Sequence, residues 1–256
     1  DNFRQGGRIN FGKSLTDDLT AYLSYELSTS KITNVSTVAF QDIIDIEGDT
    51  LLESKLIPSL VFDTRNSRFF PDKGTLFTVA PSIAGGPLGG DIDVAFFRTD
   101  LRQYFNIGDK LRNRFLKKLV CSYRVEARYT DAFKGSLPAF RRLFLQGRRS
   151  IRGFDRDDLG PVDRSGEAIG GLSTGLLSTE LVHPFVGPTR LVAFFDAGNV
   201  WETHNAYDLS DLRYGAGIGI RVITPLGPLR LDVGYKLDKK SGERPREVHF
   251  GIGSSF

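Results

Sequence analysis

Residues 116–130 read LKKLVCSYRVEARYT, and their spacing decides the class of fold. Leu119, Cys121, Tyr123, Val125, Ala127 and Tyr129 fall on one face, with Ser122, Arg124, Glu126 and Arg128 on the other. A period of two is that of an extended strand with one apolar face. The pattern recurs in both directions along the chain. In residues 228–238, Leu229, Leu231, Val233, Tyr235 and Leu237 oppose Arg230, Asp232, Lys236 and Asp238. In 213–223, Tyr214, Ala216, Ile218, Ile220 and Val222 alternate with Gly215, Gly217, Gly219 and Arg221. Residues 18–27 repeat the theme more weakly, with Leu19, Ala21, Leu23, Tyr25 and Leu27 on the apolar side. Helical spacing is not developed in any segment.

About eleven strands are predicted, near 6–14, 18–29, 51–63, 74–85, 92–106, 116–130, 170–184, 189–198, 213–224, 228–238 and 246–256. Many reach the ~9 to 11 residues that a tilted strand needs to cross a bilayer. The connections alternate in kind. Those near 15–17, 64–73, 107–115, 185–188 and 225–227 are short or turn-like, whereas 30–50, 131–169, 199–212 and 239–245 are long, with a brief glycine-rich member at 86–91. Short turns at one end and long loops at the other are the layout of an outer-membrane barrel. A water-soluble β-sandwich shares the alternation. Two details favour the barrel: the polar faces carry full charges of both signs along ten-residue strands, and aromatics such as Tyr129, Phe185 and Phe256 sit at strand ends, where a membrane girdle belongs. The expected fold is therefore all-β, an antiparallel transmembrane β-barrel domain over residues 1–256.

Eleven antiparallel strands leave the first and last running parallel, and bacterial single-chain barrels have even counts. Either residues 33–47 hide a twelfth strand or the chain is cut from a longer barrel; the absence of any methionine favours the cut. Composition excludes other classes. With 34 Lys and Arg against 31 Asp and Glu, the net charge of +3 gives no support to nucleic-acid binding. The longest apolar run is about five residues, Leu191–Phe195, far short of the ~20 that a spanning helix needs. A single cysteine, Cys121, excludes an internal disulfide and a multi-cysteine zinc site.

Motifs for catalysis are lacking. Residues 7–14, GRINFGKS, match the phosphate-loop pattern, but a turn and an alternating strand follow where that motif needs a helix N-terminus. His183, His204 and His249 lack metal-ligand spacing, and no G-x-S-x-G elbow occurs. Asn34-Val35-Ser36 is a chance glycosylation sequon. Neither an enzyme, a metal nor a cofactor is expected.

The informative segment is 139–170, AFRRLFLQGRRSIRGFDRDDLGPVDRSGEAIG, inside the long connection 131–169. Connections of that length are functional or disordered. This one carries Phe140, Leu143, Phe144, Leu145, Ile151, Phe154 and Leu159, enough apolar surface to pack, with seven arginines against five acids. It is expected to fold into the barrel lumen, where a buried guanidinium needs carboxylates from the strands.

Four motifs then carry a resemblance. Ser150-Ile151-Arg152-Gly153-Phe154, followed by Leu159-Gly160-Pro161, resembles the (V/I)RG(F/Y) signature of the sixth extracellular loop in the BamA/TamA-type bacterial surface-antigen superfamily. FFDAGNVW at 194–201, ITPLGPLRLDVGY at 223–235, and Asp63-Thr64-Arg65 with Phe70-Pro71-Lys73-Gly74 resemble three further motifs of that family, in family order. The closing strand EVHFGIGSSF ends in the aromatic of an outer-membrane β-signal.

The resemblance implies the later part of a sixteen-stranded barrel, without its first strands and periplasmic POTRA domains. It implies that Arg152 reaches into the lumen and pairs with Glu180 and Asp196. Pattern alone puts Asp196 on the inward face with Arg190 and Phe194, and leaves Glu180 less secure. It further implies a bacterial outer-membrane assembly factor that folds and inserts other barrels, with client barrels, the bilayer and periplasmic or lipoprotein subunits as partners. A client strand would add at the last strand, where Val248, Phe250, Ile252 and Phe256 face lipid and Gly251 and Gly253 the lumen. A TamA-like autotransporter pathway, a two-partner secretion translocator and, from another class, a passive pore are the alternatives.

Overall fold

In the computed structural model of the chain the described residues are 2–32, 49–110, 115–145, 151–155, 158–163, 166–203, 207–225 and 227–252. They form eleven strands: β1 (Asn2–Ser14), β2 (Leu19–Ile32), β3 (Thr50–Asp63), β4 (Gly74–Ala84), β5 (Val94–Asn106), β6 (Val120–Ala132), β7 (Ser173–Pro184), β8 (Thr189–Trp201), β9 (Arg213–Thr224), β10 (Gly227–Lys236) and β11 (Arg246–Ile252). Their order in the sheet is their order in the chain. Pairing is antiparallel between β1 and β2, between β2 and β3, and throughout the run from β7 to β11. In these pairs each strand meets its sequence neighbour antiparallel, and the strand order needs no crossover.

Every predicted strand has a counterpart. The largest difference is at 116–130, where β6 begins only at Val120. Phe115–Lys118 instead form a 3-10 turn. Leu119 N–H donates to the Leu116 carbonyl at 3.0 Å, while the Leu119 carbonyl accepts from the Ile107 and Gly108 amides at 3.0 Å each. Those backbone bonds close the turn and use the groups a longer strand would have needed. Residues 33–47, the candidate for a twelfth strand, lie outside the described residues. The phosphate-loop look-alike at 7–14 is part of β1, and a turn follows it, in which the Leu15 and Thr16 amides both donate to the Leu19 carbonyl.

The chain divides into two compact units. In the first, residues 1–62, 78–99 and 128–143, β1 sends Arg4 to Glu26 at 2.5 Å and to Glu53 at 3.2 Å, while Arg141 of the long connection also pairs with Glu53. Glu53 is buried, while Phe3, Ile9, Phe11, Leu23 and Leu27 are exposed.

In the second unit, residues 63–77, 100–127 and 144–256, the same inversion is complete. Along β9 and β10 the exposed side chains are Ile218, Ile220, Ile223, Leu231 and Tyr235, and the buried ones Arg213, Arg221, Arg230, Asp232 and Lys236. Ile218 is 66% exposed and Asp232 not at all. Against water this would be the wrong way round, since apolar surface stabilises only when removed from water and covered charge is costly. Against lipid it is the stable arrangement, because the bilayer takes the apolar faces and the charges find one another inside. No helix among the described residues is long and apolar enough to cross a membrane; here strands do so.

Candidate functional site

The site is assembled from the long connection inward. Leu145, Ile151, Phe154 and Leu159 of the connection pack with Leu176 of β7 and Val200 of β8, all at 4% exposure or less. This small core fixes the segment 151–154, which turns back on itself through a 3.1 Å bond from Phe154 N–H to the Ile151 carbonyl. At the tip of that turn stands Arg152.

Its guanidinium is fully engaged. Nε donates to Asp196 Oδ2 and Nη2 to Asp196 Oδ1, each at 2.7 Å, the two-pronged geometry that suits a planar fork and a carboxylate. Nη2 also donates to Ser178 Oγ at 2.9 Å, and Nη1 pairs with Glu180. The Arg152 backbone N–H gives Asp196 a further bond at 3.0 Å, and the guanidinium carbon lies 3.6 Å from the centre of the Phe194 ring. Register explains the convergence: Ser178 of β7 lies directly opposite Asp196 of β8, and Glu180 opposite Phe194, so all four side chains share the inward face.

A second arginine ties the cluster to the following strands. Arg221 of β9 donates to Glu180 at 3.1 Å and to Asp232 of β10 at 2.5 Å. Two guanidinium groups, Arg221 on β9 and Arg152 from outside the sheet, thus bridge three carboxylates on β7, β8 and β10. Close approach of the tip depends on glycine. Gly153 has φ +102°, and a methyl group at Gly234 on β10 would come within 2.5 Å of the Arg152 carbonyl carbon.

A clasp lies beside the cluster. The Phe154 ring sits between Arg213, 4.7 Å from its centre, and Lys236, at 5.2 Å. Lys236 Nζ reaches Asp158 at 2.6 Å, and Arg213 reaches Asp238 at 2.6 Å and Glu243 at 2.8 Å. Burial pushes the Glu243 carboxyl up, but the Lys240 backbone N–H and the Arg213 guanidinium outweigh it and hold the group below its ordinary value.

Arg152, Glu180 and Asp196 are therefore brought together, Ile151 and Phe154 are in the core beneath them, and Gly153 N–H donates to Nε2 of His249 on β11 at 3.1 Å. Ser150, Gly253 and Phe256 lie outside the described residues. On β11, Val248, Phe250 and Ile252 are exposed and Gly251 is half-buried against Arg230. Pattern reading put Phe194, Arg221 and Asp232 on inward or polar faces without joining them to the site, and it did not single out Ser178 or the site role of His249. They are visible only as members of inward faces, and the register that pairs them is not written in one sequence. Among the described residues no group of three or more side chains is arranged to hold a metal ion. The carboxylates are occupied by guanidinium, so the arrangement is a strut that docks a loop onto four strands.

Residues 1–256 match the Omp85 superfamily domain. The outer membrane protein assembly factor BamA of Neorickettsia risticii is 31% identical over 98% of this chain and 34% of its own length, and that of Nitratidesulfovibrio vulgaris 28% over 98% and 32%. This chain spans about a third of the length of these relatives. The crystal structure of BamA from Haemophilus ducreyi lacking POTRA domains 1–3 superposes with a TM-score of 0.81 at 21% identity, over 99% of this chain and 54% of that one, which shows a shared fold. With its inward charges, outward apolar faces and whole-length match, the chain belongs to the Omp85 superfamily.

Proposed function

We propose that the chain is the later part of an outer-membrane barrel that folds and inserts other β-barrel proteins into the bacterial outer membrane, in a non-catalytic role, with the segment 131–169 docked in its lumen. The observation that carries this reading is the state of β11. Among the described residues it pairs on one side with β10 and stands at the end of the strand order, and no described strand takes up the backbone groups of its other side. Such an edge is a template for strand addition. Its outward Val248, Phe250 and Ile252 suit lipid, and Gly251 weakens its packing. The docked loop touches this strand directly, through Gly153 and His249.

The names of the BamA relatives point the same way, and accessory periplasmic or lipoprotein subunits belong to the same proposal. The test is disulfide trapping in the full-length protein. Single cysteines at 248, 250 and 252, each oxidised against a single cysteine placed on the client strand, are expected to capture the strand of an incoming barrel. Consistent failure with a client that the protein demonstrably folds would overturn the reading.

A further inference from the structure

Arg230 is a buried cation whose Nε meets no hydrogen-bonding partner among the described residues. It lies on the inward face of β10 at 7% exposure, and no carboxylate among the described residues comes within the 4 Å of an ion pair. The acid two residues along, Asp232, is bonded by Arg221. Arg152 and Arg221 are each bound in two or more places, whereas Arg230 has no such partner among the described residues, and a buried charge needs one.

The direction of the side chain says where that partner belongs. Arg230 stands opposite Gly251 of β11 in the register. A methyl group at Gly251 would lie 2.7 Å from Arg230 Nε, 3.2 Å from Cγ and 3.4 Å from Cδ, so the arginine runs across β11 over the one position without a side chain. Beyond Gly251 is the side of β11 away from β10, which no described strand pairs. A strand added there would place the residue opposite Gly251 two inter-strand spacings from Arg230, about 10 Å between Cα atoms. An extended arginine and a short acidic side chain meet across that span, and cross-strand partners share a face, so the meeting point is inside.

We propose that Arg230 reads the strand that adds to β11, selecting a client strand with an aspartate or glutamate on its inward face at the position opposite Gly251. The inference rests on the proposed addition of client strands at this edge. It makes Arg230 a specificity-determining residue whose fork closes on a carboxylate supplied in trans, with the bidentate preference that distinguishes arginine from lysine.

The experiment uses the full-length protein in proteoliposomes, with Ile252→Cys on the outward side and a single outward cysteine on the client strand, joined as a disulfide by an added oxidant. One client barrel is prepared in three versions, with Asp, Asn or Lys at the inward position opposite Gly251. With native Arg230 the Asp version is expected to be trapped about tenfold more than Asn, the equivalent of about 1.4 kcal/mol, with Lys lowest. Arg230→Gln should level Asp and Asn, and Arg230→Glu should reverse the order in favour of Lys. Comparing clients against native Arg230 keeps the test valid even if those variants fold poorly. Equal trapping of Asp, Asn and Lys by native Arg230 would overturn the inference while leaving strand addition intact, and is also the outcome if the barrel's own first strand supplies the carboxylate. Trapping of none of them, with a client that is demonstrably folded by the protein, overturns the strand-addition reading and this inference with it.

Discussion

Replacing Arg152 with alanine removes the loop's grip on the strands, and the structure sets the size of the effect. Breaking a buried ion pair costs about 3–5 kcal/mol when the remaining charge is stranded. Here the stranding is partial. Glu180 keeps Arg221 at 3.1 Å, and Asp196 keeps the Arg152 backbone N–H at 3.0 Å and the Ser178 hydroxyl at 2.5 Å. The low end of that range applies, near ~3 kcal/mol. Loss of the contact with Phe194 adds about 0.5–1 kcal/mol. The docked state of the loop should therefore lose two to three decades of population, about tenfold for each 1.4 kcal/mol.

Amide hydrogen exchange of the barrel in micelles reads this directly, because loop opening exposes residues 151–155 while the strand ladders stay closed. Arg152→Ala is expected to speed exchange at the Gly153 and Phe154 amides about a hundredfold or more, with little change in β8 or β10. Arg152→Lys should fall between, since a lysine keeps the charge and loses the two-pronged contact with Asp196. Exchange at 153 and 154 that is unchanged in Arg152→Ala would refute the reasoning. So would an effect no larger than that of Arg244→Ala, whose side chain is largely exposed.

Three further outcomes are expected. Gly234→Ala places a methyl against the backbone of Arg152 and should destabilise loop docking by about 1–3 kcal/mol, read as faster proteolysis within the loop at unchanged strand content by circular dichroism. Phe154→Ala empties the centre of the loop core and the space between Arg213 and Lys236, at a cost of about 3–5 kcal/mol in the loop's opening free energy by hydrogen exchange. Because the folded Glu243 carboxyl is held below its ordinary value, its contribution is complete above the unfolded value of about 4.3 and disappears as pH falls through the lower folded value. The clasp at 237–245 should thus loosen as pH falls below that ordinary value, and a carboxyl-carbon NMR titration should lose that transition in Glu243→Gln.

The strands were legible because a period of two survives in a single sequence wherever one side faces lipid and the other faces charge. Residues 213–224 and 228–236 show it most plainly, with Ile218 and Leu231 outward and Arg221 and Asp232 inward. The late start of β6 was not legible. Leu116 and Leu119 continue the alternation on paper, and only the backbone bonds of 107–119 end it. Arg152, Glu180 and Asp196 were picked out through the family resemblance, and the strand face agreed for Asp196. Glu180 was harder, since inward Leu176 on the same strand buries itself under the loop and blurs the polar face of β7. Arg221 and Asp232 share their site with Arg152 only because β9 and β10 pair in one particular register. The path of Arg230 across β11 is likewise a property of that register and of the missing side chain at Gly251.

The central claim is that this sheet is turned inside out for a bilayer, and fluorescence quenching by lipids brominated on their acyl chains tests it most directly. The chain has one tryptophan, Trp201, which is buried at the end of β8. It should be quenched little, whereas Ile218→Trp, Leu231→Trp and Phe250→Trp, each in a Trp201→Phe background, should be quenched strongly. Quenching that is absent at 218, 231 and 250 would contradict the account.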